Sequence, residues 1–138
     1  MIEAIHRLVP ASAAIIRTRN EITADNVLTS LHAQGVTFEV LRLVNGDWDI
    51  EGAELDDSEI FELIQIDNVG HTGELMICTE ACSRYGMDTF RCQAADLRQF
   101  IDTYDVEMFF DGDVIIVGEE SKTITVFHHE GVCVQVKL

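Results

Sequence analysis

The sequence has few basic residues, a single proline and no long apolar run. Lysine and arginine together number 9, against 25 aspartates and glutamates, which gives a formal net charge of -16. A negative field of this strength repels nucleic acid and anionic lipid, so neither is expected as a ligand. No apolar stretch approaches the roughly 18 residues of a membrane-spanning helix. No Gly-, Ser- or Pro-rich segment marks a linker, so we expect a single domain over residues 1–138.

The sequence also lacks the short motifs of common enzyme classes. It has no G-x-S-x-G segment for a nucleophilic serine, no P-loop and no dinucleotide-binding glycine fingerprint. Catalytic triads and carboxylate pairs assemble from residues that are distant in sequence, so these absences lower the expectation of an enzyme without excluding one. No cofactor is expected.

The cysteines do not form a recognisable pattern of disulfides or of zinc ligands. They are Cys78, Cys82, Cys92 and Cys133. The first ten residues include Glu3, His6 and Arg7 and do not resemble a secretory signal. We therefore expect a cytoplasmic protein with reduced thiols. The C-x3-C spacing of the first two cysteines lacks the second close pair of a structural zinc site, so we interpret these cysteines as packing residues.

Hydrophobic periodicity predicts an α+β fold. One helix starts at Thr23, which can cap it, and ends at Gly35. A second helix has an apolar stripe between Leu97 and Tyr104. Alternating or continuous apolar patterns predict strands at 36–43, 106–110, 113–117, 123–129 and 132–137. The last four form a predicted four-stranded antiparallel β-meander, packed with two or three helices.

Two turn segments resemble each other, which suggests an internal repeat. Residues 45–54 and 111–120 align so that two glycines, an aspartate, an isoleucine and the last glutamate coincide. Both begin with a dipeptide, Asn-Gly or Asp-Gly, that is typical of tight hairpins. A repeat would cover about 23–79 and 94–138 and duplicate the meander. The alternative is two hairpins that share only their turn chemistry.

The repeat predicts strands at 60–66 and 75–79. Local signals favour helices, because Asp56 and Glu59 have the spacing of a capping box and residues 75–85 fit a helical stripe. We favour strands for both segments on the strength of the repeat.

His128, His129 and Glu130 are the most conspicuous candidates for metal binding or proton transfer. Adjacent strand residues point to opposite faces, so the two imidazoles are not expected to share a metal, and the strand pattern places His128 on the apolar face. We assign no metal site. A metal-dependent or His/carboxylate enzyme centred on this pair, with Cys133 as a further candidate residue, is the first alternative function.

The acidic residues are concentrated in two runs. Residues 47–67 contain nine carboxylates and residues 102–120 contain seven, and neither run has a basic residue. Because the runs border the two similar turns, we predict that they merge into one anionic surface for a basic protein partner. The predicted partner-binding residues are Asp47, Asp49, Glu51, Asp111, Asp113, Glu119 and Glu120. The alternative is a solvated face without a partner.

The function expected from these features is that of a small acidic binding protein. It would engage or neutralise a basic protein, as inhibitors, antitoxins and immunity proteins do. The second alternative is a structural or assembly subunit that forms a homo-oligomer by joining the edges of its sheets.

Overall fold

The structure is a computed structural model that describes residues 1–43 and 55–138. Its helices are α1 (Ile2–Leu8), α2 (Ala24–Ala33), α3 (Asp57–Ile64), α4 (Glu80–Arg84) and α5 (Leu97–Asp102). Its strands are β1 (Leu41–Arg42), β2 (Glu74–Cys78), β3 (Phe90–Gln93), β4 (Val114–Gly118), β5 (Thr123–His128) and β6 (Val132–Lys137). Short 3-10 turns occupy Pro10–Ala14, Arg19–Glu21, Ile66–Val69 and Ala94–Asp96. The predicted α+β class is confirmed.

The strands form one antiparallel sheet, in the order β1-β6-β5-β4-β2-β3, with helices on both sides. β4 is buried along its whole length, because its apolar side chains alternate between two cores. Ile116 belongs to the core beneath α3 and α5. Ile115 and Val117 belong to the core beneath α1 and α2. In the described ranges, no helix has the length and apolar character needed to cross a membrane.

Two helices form where the sequence predicts them. Thr23 caps α2, since its hydroxyl accepts a hydrogen bond from the Asn26 amide at 3.2 Å. Gly35 follows the helix with a φ of +79°, a conformation that glycine adopts without strain. The apolar stripe after Leu97 corresponds to α5, which packs through Leu97 and Ile101.

The predicted strand at 60–66 is wrong, because these residues lie in α3 and the turn after it. The Asp56 carboxylate accepts the Glu59 amide at 2.8 Å, and the Glu59 carboxylate accepts the Asp56 amide at 3.2 Å. This capping box satisfies two amides at the helix start at once. The strand at 75–79 is confirmed as β2, and the helix considered for 75–85 begins only at Glu80.

The C-terminal meander has three strands rather than four. Residues 106–110 form no strand. The amides of Phe109 and Phe110 donate to the two carboxylate oxygens of Asp57 at 2.8 and 3.0 Å, and both rings are buried. The place beside β4 is taken by β2 instead.

The strand predicted at 36–43 is confirmed only at its end. Leu41 and Arg42 pair with β6 as β1, whereas residues 36–40 have no strand pairing. The Asn45-Gly46 hairpin lies outside the described residues. Since the first block of the aligned turns also lies there, the internal repeat stays a prediction.

Candidate functional site

The structure separates the acidic residues that the sequence suggested would lie together. Asp111 and Asp113 precede β4, whereas Glu119 and Glu120 follow it. A strand of this length puts the two pairs roughly 20 Å apart. The remaining three, Asp47, Asp49 and Glu51, lie outside the described residues. The assignment of all seven as partner-binding residues stays a prediction.

Three of the four described members already have partners within the chain. Asp111 lies 3.1 Å from an Arg84 nitrogen. Glu119 accepts two hydrogen bonds from the Arg7 guanidinium, at 2.7 and 2.8 Å. Asp113 accepts hydrogen bonds from backbone and imidazole groups. These contacts leave Glu120 as the described member with an exposed carboxylate that has no such bond.

The exposed acidic side chains gather instead on one layer of the molecule. This layer consists of residues 55–70 and 94–111, which contain α3, α5 and the turns that flank them. Arg98 is its single basic residue. Its exposed carboxylates are the eight of Asp56, Glu59, Glu62, Asp67, Asp96, Asp102, Asp105 and Asp111. We call the outer surface of this layer the anionic face. The opposite layer, residues 1–35, has three acidic and three basic residues.

Few charges on the anionic face are neutralised by the chain itself. Arg98 lies 2.5 Å from the Glu62 carboxylate, and Arg84 reaches Asp111. Within residues 1–43 and 55–138, four of the eight carboxylates take part in no hydrogen bond or salt bridge. They are those of Asp67, Asp96, Asp102 and Asp105. Their charge is therefore available to a partner.

Apolar side chains are exposed in the same layer. Leu63 is 49% exposed, Val106 is 38% exposed and Met108 is 39% exposed. Large apolar groups amid charged ones are typical of binding surfaces, in which an apolar centre contributes affinity and a polar rim contributes specificity.

A second cluster forms around Asp113 at the start of β4. Its Oδ1 accepts hydrogen bonds from the His129 amide at 3.0 Å and from His129 Nδ1 at 2.8 Å. Its Oδ2 accepts the Ala24 amide, at the start of α2, at 2.9 Å. Burial opposes the charge of Asp113, but these hydrogen bonds hold the pKa of its carboxyl below the usual value. The hydrogen bond with Asp113 raises the pKa of His129.

His128 is buried beside this pair, as its place in the strand pattern predicted. It is 8% exposed, and its Nδ1 accepts the Glu130 amide at 3.0 Å. The neutral ring therefore carries its proton on Nε2, which lies 3.0 Å from an Asp25 carboxylate oxygen. The side chain bridges β5 to the first turn of α2.

The two imidazoles are neighbours, so their predicted separation is wrong. β5 ends at His128, and the turn that follows stacks the rings with centroids 4.1 Å apart and planes at 26°. Ligand atoms of Asp113, His128 and His129 lie within 4.8 Å of one another. A metal lies about 2.0 Å from a ligand nitrogen along its lone pair, in the ring plane. Nearly parallel rings do not aim both lone pairs at one ion. Cys133 lies in the core on the other side of the sheet.

Asp113 also borders a cavity of about 540 Å³. The walls come from the turn before α2, the end of β2, α4 and the start of β4. Arg19, Cys78, Thr79 and Cys82 line it. The two cysteines that the sequence suggested as packing residues thus share the wall of one cavity.

The cavity was not predictable from the sequence, because its lining residues lie on separate segments. Arg19 comes from the N-terminal region, Cys82 from the middle of the chain and Asp113 from the C-terminal third. The C-x3-C spacing was the one local signal. Comparisons with protein-family models, with curated proteins and with solved structures find no match for the chain. A function for this chain is therefore inferred from its own charge and contacts.

Proposed function

We propose that the chain is a small acidic binding protein that engages or neutralises a basic protein through its anionic face. The observation that carries this proposal is the difference between the two helical layers. One has eight exposed carboxylates and one arginine, and the other has equal numbers of acidic and basic residues. A charge that serves only solubility needs no such asymmetry. A one-sided field orients a cationic partner and speeds its encounter.

The chemistry of the face suggests the kind of partner. Carboxylates in this number suit a cationic cleft, such as the nucleic-acid site of a nuclease, where they take the place of phosphates. The exposed side chains of Leu63, Val106 and Met108 supply apolar contacts that such a cleft would bury. An inhibitor, antitoxin or immunity protein works in this way.

The test compares two variants with the same change in net charge. In the first, the four unpaired carboxylates of the anionic face are replaced: Asp67→Asn, Asp96→Asn, Asp102→Asn and Asp105→Asn. In the control, four exposed carboxylates elsewhere are replaced: Glu3→Gln, Glu39→Gln, Asp88→Asn and Glu130→Gln. A basic protein captured from the source cells is purified, and its association rate with each variant is measured at several salt concentrations.

We expect the anionic-face variant to associate about 10-fold more slowly than the control at low salt, because steering depends on where the charge lies. The difference should shrink as salt screens the charges. Equal rates for the two variants would mean that only total charge matters and would refute a specific anionic face.

Asp113 and His129 support a second candidate, a His/carboxylate enzyme. Because Nδ1 of His129 donates to Asp113, its Nε2 has a free lone pair, and the His129 side chain is 53% exposed. A carboxylate that orients an imidazole is the arrangement of a general base. Equilibrium dialysis against Zn²⁺ tests the metal-dependent form. One ion per chain, lost in His129→Ala, would support it, and no bound ion in the unchanged protein would contradict it.

A further inference from the structure

Cys78 and Cys82 both line the cavity, where β2 leads into α4. Cys78 ends β2, Thr79 precedes α4, and Cys82 is the third residue of that helix. Both thiols are free, and the Cys78 thiol donates to the Thr79 carbonyl oxygen at 4.0 Å. The sulfur of Cys82 also lies 4.0 Å from the Thr79 hydroxyl and 3.7 Å from the Asp88 carbonyl oxygen. Both cysteines therefore border a space that a small molecule can enter.

Cys82 is the thiol of the pair that ionises first. Hydrogen bonding with Cys78 is the main influence that lowers the pKa of Cys82 to about 6; burial opposes it, while hydrogen bonds from Thr79 and the charge of Arg19 add to it. The same hydrogen bond, together with burial, raises the pKa of Cys78. The thiolate is the reactive form of cysteine, so Cys82 is the nucleophile and Cys78 the proton-bearing partner.

The other two cysteines lack these features. Burial raises the pKa of Cys133 to about 12 and raises that of Cys92 above its usual value. Cys133 is also enclosed in the core beneath α3 and α5. Of the four cysteines, Cys82 is the one whose pKa is lowered.

We propose that Cys82 and Cys78 form a redox-active dithiol that exchanges with low-molecular-weight disulfides bound in this cavity. Its volume, about 540 Å³, lies within the usual range for small-molecule sites. Thr18, Asn20 and Thr89 add polar groups to its walls, and Arg19 supplies a cation. This activity does not depend on the anionic face.

The exchange takes two balanced steps. The Cys82 thiolate attacks one sulfur of the small disulfide, whose S–S bond breaks, and the released thiolate takes a proton from solvent. Cys78 then loses its proton to solvent, and its sulfur attacks Cys82, which forms the Cys78–Cys82 bond and releases the second small thiol. Two protein thiols are oxidised and one small disulfide is reduced to two thiols.

The test uses dithiodipyridine, a neutral disulfide whose reduced form is coloured, at about pH 6, where a thiolate of low pKa dominates. Trypsin then separates the cysteines by peptide, because residues 43–84 contain only Cys78 and Cys82, whereas Cys92 and Cys133 fall on peptides of their own. Mass spectrometry reads each peptide.

We expect the 43–84 peptide to lose two hydrogen atoms and carry no adduct, with two coloured thiols released per chain. Cys82 should react at least about 20-fold faster than Cys92. Its larger thiolate fraction speeds the reaction, and the weaker nucleophilicity of a low-pKa thiol offsets part of that gain. Cys78→Ser should stop the reaction after one released thiol and leave the adduct on Cys82. The matched control, Cys92→Ser, should leave both products unchanged.

Two results would overturn the proposal. One is a Cys82 that reacts no faster than Cys92 in the unchanged protein. The other is a Cys82 adduct that persists although Cys78 is present, since the second step would then not occur. The comparison of Cys82 with Cys92 uses the unchanged protein. It therefore tests the proposal even if a variant folds poorly.

Discussion

Acidification should destabilise this protein through one half-buried imidazole, that of His71. The ring lies against β5, with Nδ1 2.6 Å from the Thr123 hydroxyl and Nε2 2.9 Å from the Thr125 hydroxyl. Burial lowers the pKa of His71 from its usual 6.5 to about 4. The unfolded chain therefore binds a proton on His71 at a higher pH than the folded chain does. Acidification between these two pKa values favours the unfolded state.

Hydrogen bonding fixes the neutral form of the ring. The Gln135 amide group donates to the Ile64 carbonyl at 2.7 Å, so its oxygen is left to accept the Thr125 hydroxyl at 3.0 Å. Thr125 must then accept from Nε2–H of His71, and the bare Nδ1 accepts from Thr123. A second proton on Nδ1 would leave two donors facing each other.

The same direction of donation continues on the other side of the ring. The Thr72 amide donates to the Ser121 hydroxyl at 3.1 Å, and that hydroxyl lies 2.6 Å from Thr123. The Ser121 hydroxyl donates to the Thr123 oxygen, and the Thr123 hydroxyl donates in turn to Nδ1 of His71. Protonation of the ring would disturb this whole row of polar groups.

The magnitude follows from the pKa change. A group whose pKa is lowered from 6.5 to about 4 on folding contributes about 3 kcal/mol, at about 1.4 kcal/mol per pH unit. Because folding holds this base neutral, the free energy of unfolding decreases as the pH falls. The contribution is fully present above pH 6.5 and is lost as the pH falls towards 4, because the unfolded state takes up the proton first.

Urea unfolding between about pH 7.5 and pH 4.5 tests this, with His71→Gln as the comparison. Glutamine keeps a hydrogen bond to a threonine hydroxyl but does not titrate, and the carboxylates contribute similarly to both proteins. We expect the unchanged protein to lose about 2 kcal/mol more than the variant between pH 6.5 and 5. Parallel stability curves would refute the reasoning.

Two further predictions concern carboxylates that organise the chain. Asp57→Ala removes the acceptor for the Phe109 and Phe110 amides, so the free energy of unfolding in urea should fall by about 2–4 kcal/mol, and a loss below 1 kcal/mol would contradict the assigned role. Asp113→Asn removes the charge that raises the pKa of His129, so His129 should titrate at a lower pH by NMR, and an unchanged titration would contradict the pairing. Because the His129 pKa is raised, its contribution to stability is present at low pH and fades as the pH rises.

The elements that the sequence predicted correctly are those whose signals are local. α2 has its cap at Thr23 and its terminating glycine at Gly35, and both act on the chain around them. The strand predicted at 106–110 shows the opposite case. Its aromatic residues suit a strand, but a strand needs a partner, and β2 occupies the place beside β4. The Phe109 and Phe110 amides donate to the Asp57 carboxylate instead of to a neighbouring strand.

The error at 60–66 has a different origin. Its apolar residues fit a buried strand or one face of a helix, so periodicity did not decide between them. The capping box at Asp56 and Glu59 did favour a helix, and it is formed in the structure. The similarity of two turns favoured a strand, and the capping box favoured a helix. The capping box was the stronger evidence, because its two hydrogen bonds form within four residues of sequence.

An excess of carboxylates on one side was predictable, but its location was not. The acidic run at 102–120 is continuous in sequence, but it includes strand β4. The acidic residues before β4 and those after it therefore lie at opposite ends of that strand. The run at 47–67 contributes α3 to the anionic face. Which layer a segment joins is decided by strand order, which composition does not report.

The dithiol cavity and the anionic face border different cores, although the Thr79 hydroxyl at the cavity wall lies 2.9 Å from the Tyr104 hydroxyl in the layer of the anionic face. The cavity borders the core beneath α1 and α2 through Ile22, Cys78 and Ile115, whereas the anionic face covers the other core. Besides burial, the groups that shift the pKa of Cys82 are Cys78, Thr79 and Arg19. The carboxylates of the face should therefore change the Cys82 thiolate little, compared with the hydrogen-bonded Cys78 and the charge of Arg19. If neutralising the four face carboxylates slowed both partner capture and thiol exchange, the two sites would be coupled through the sheet rather than independent.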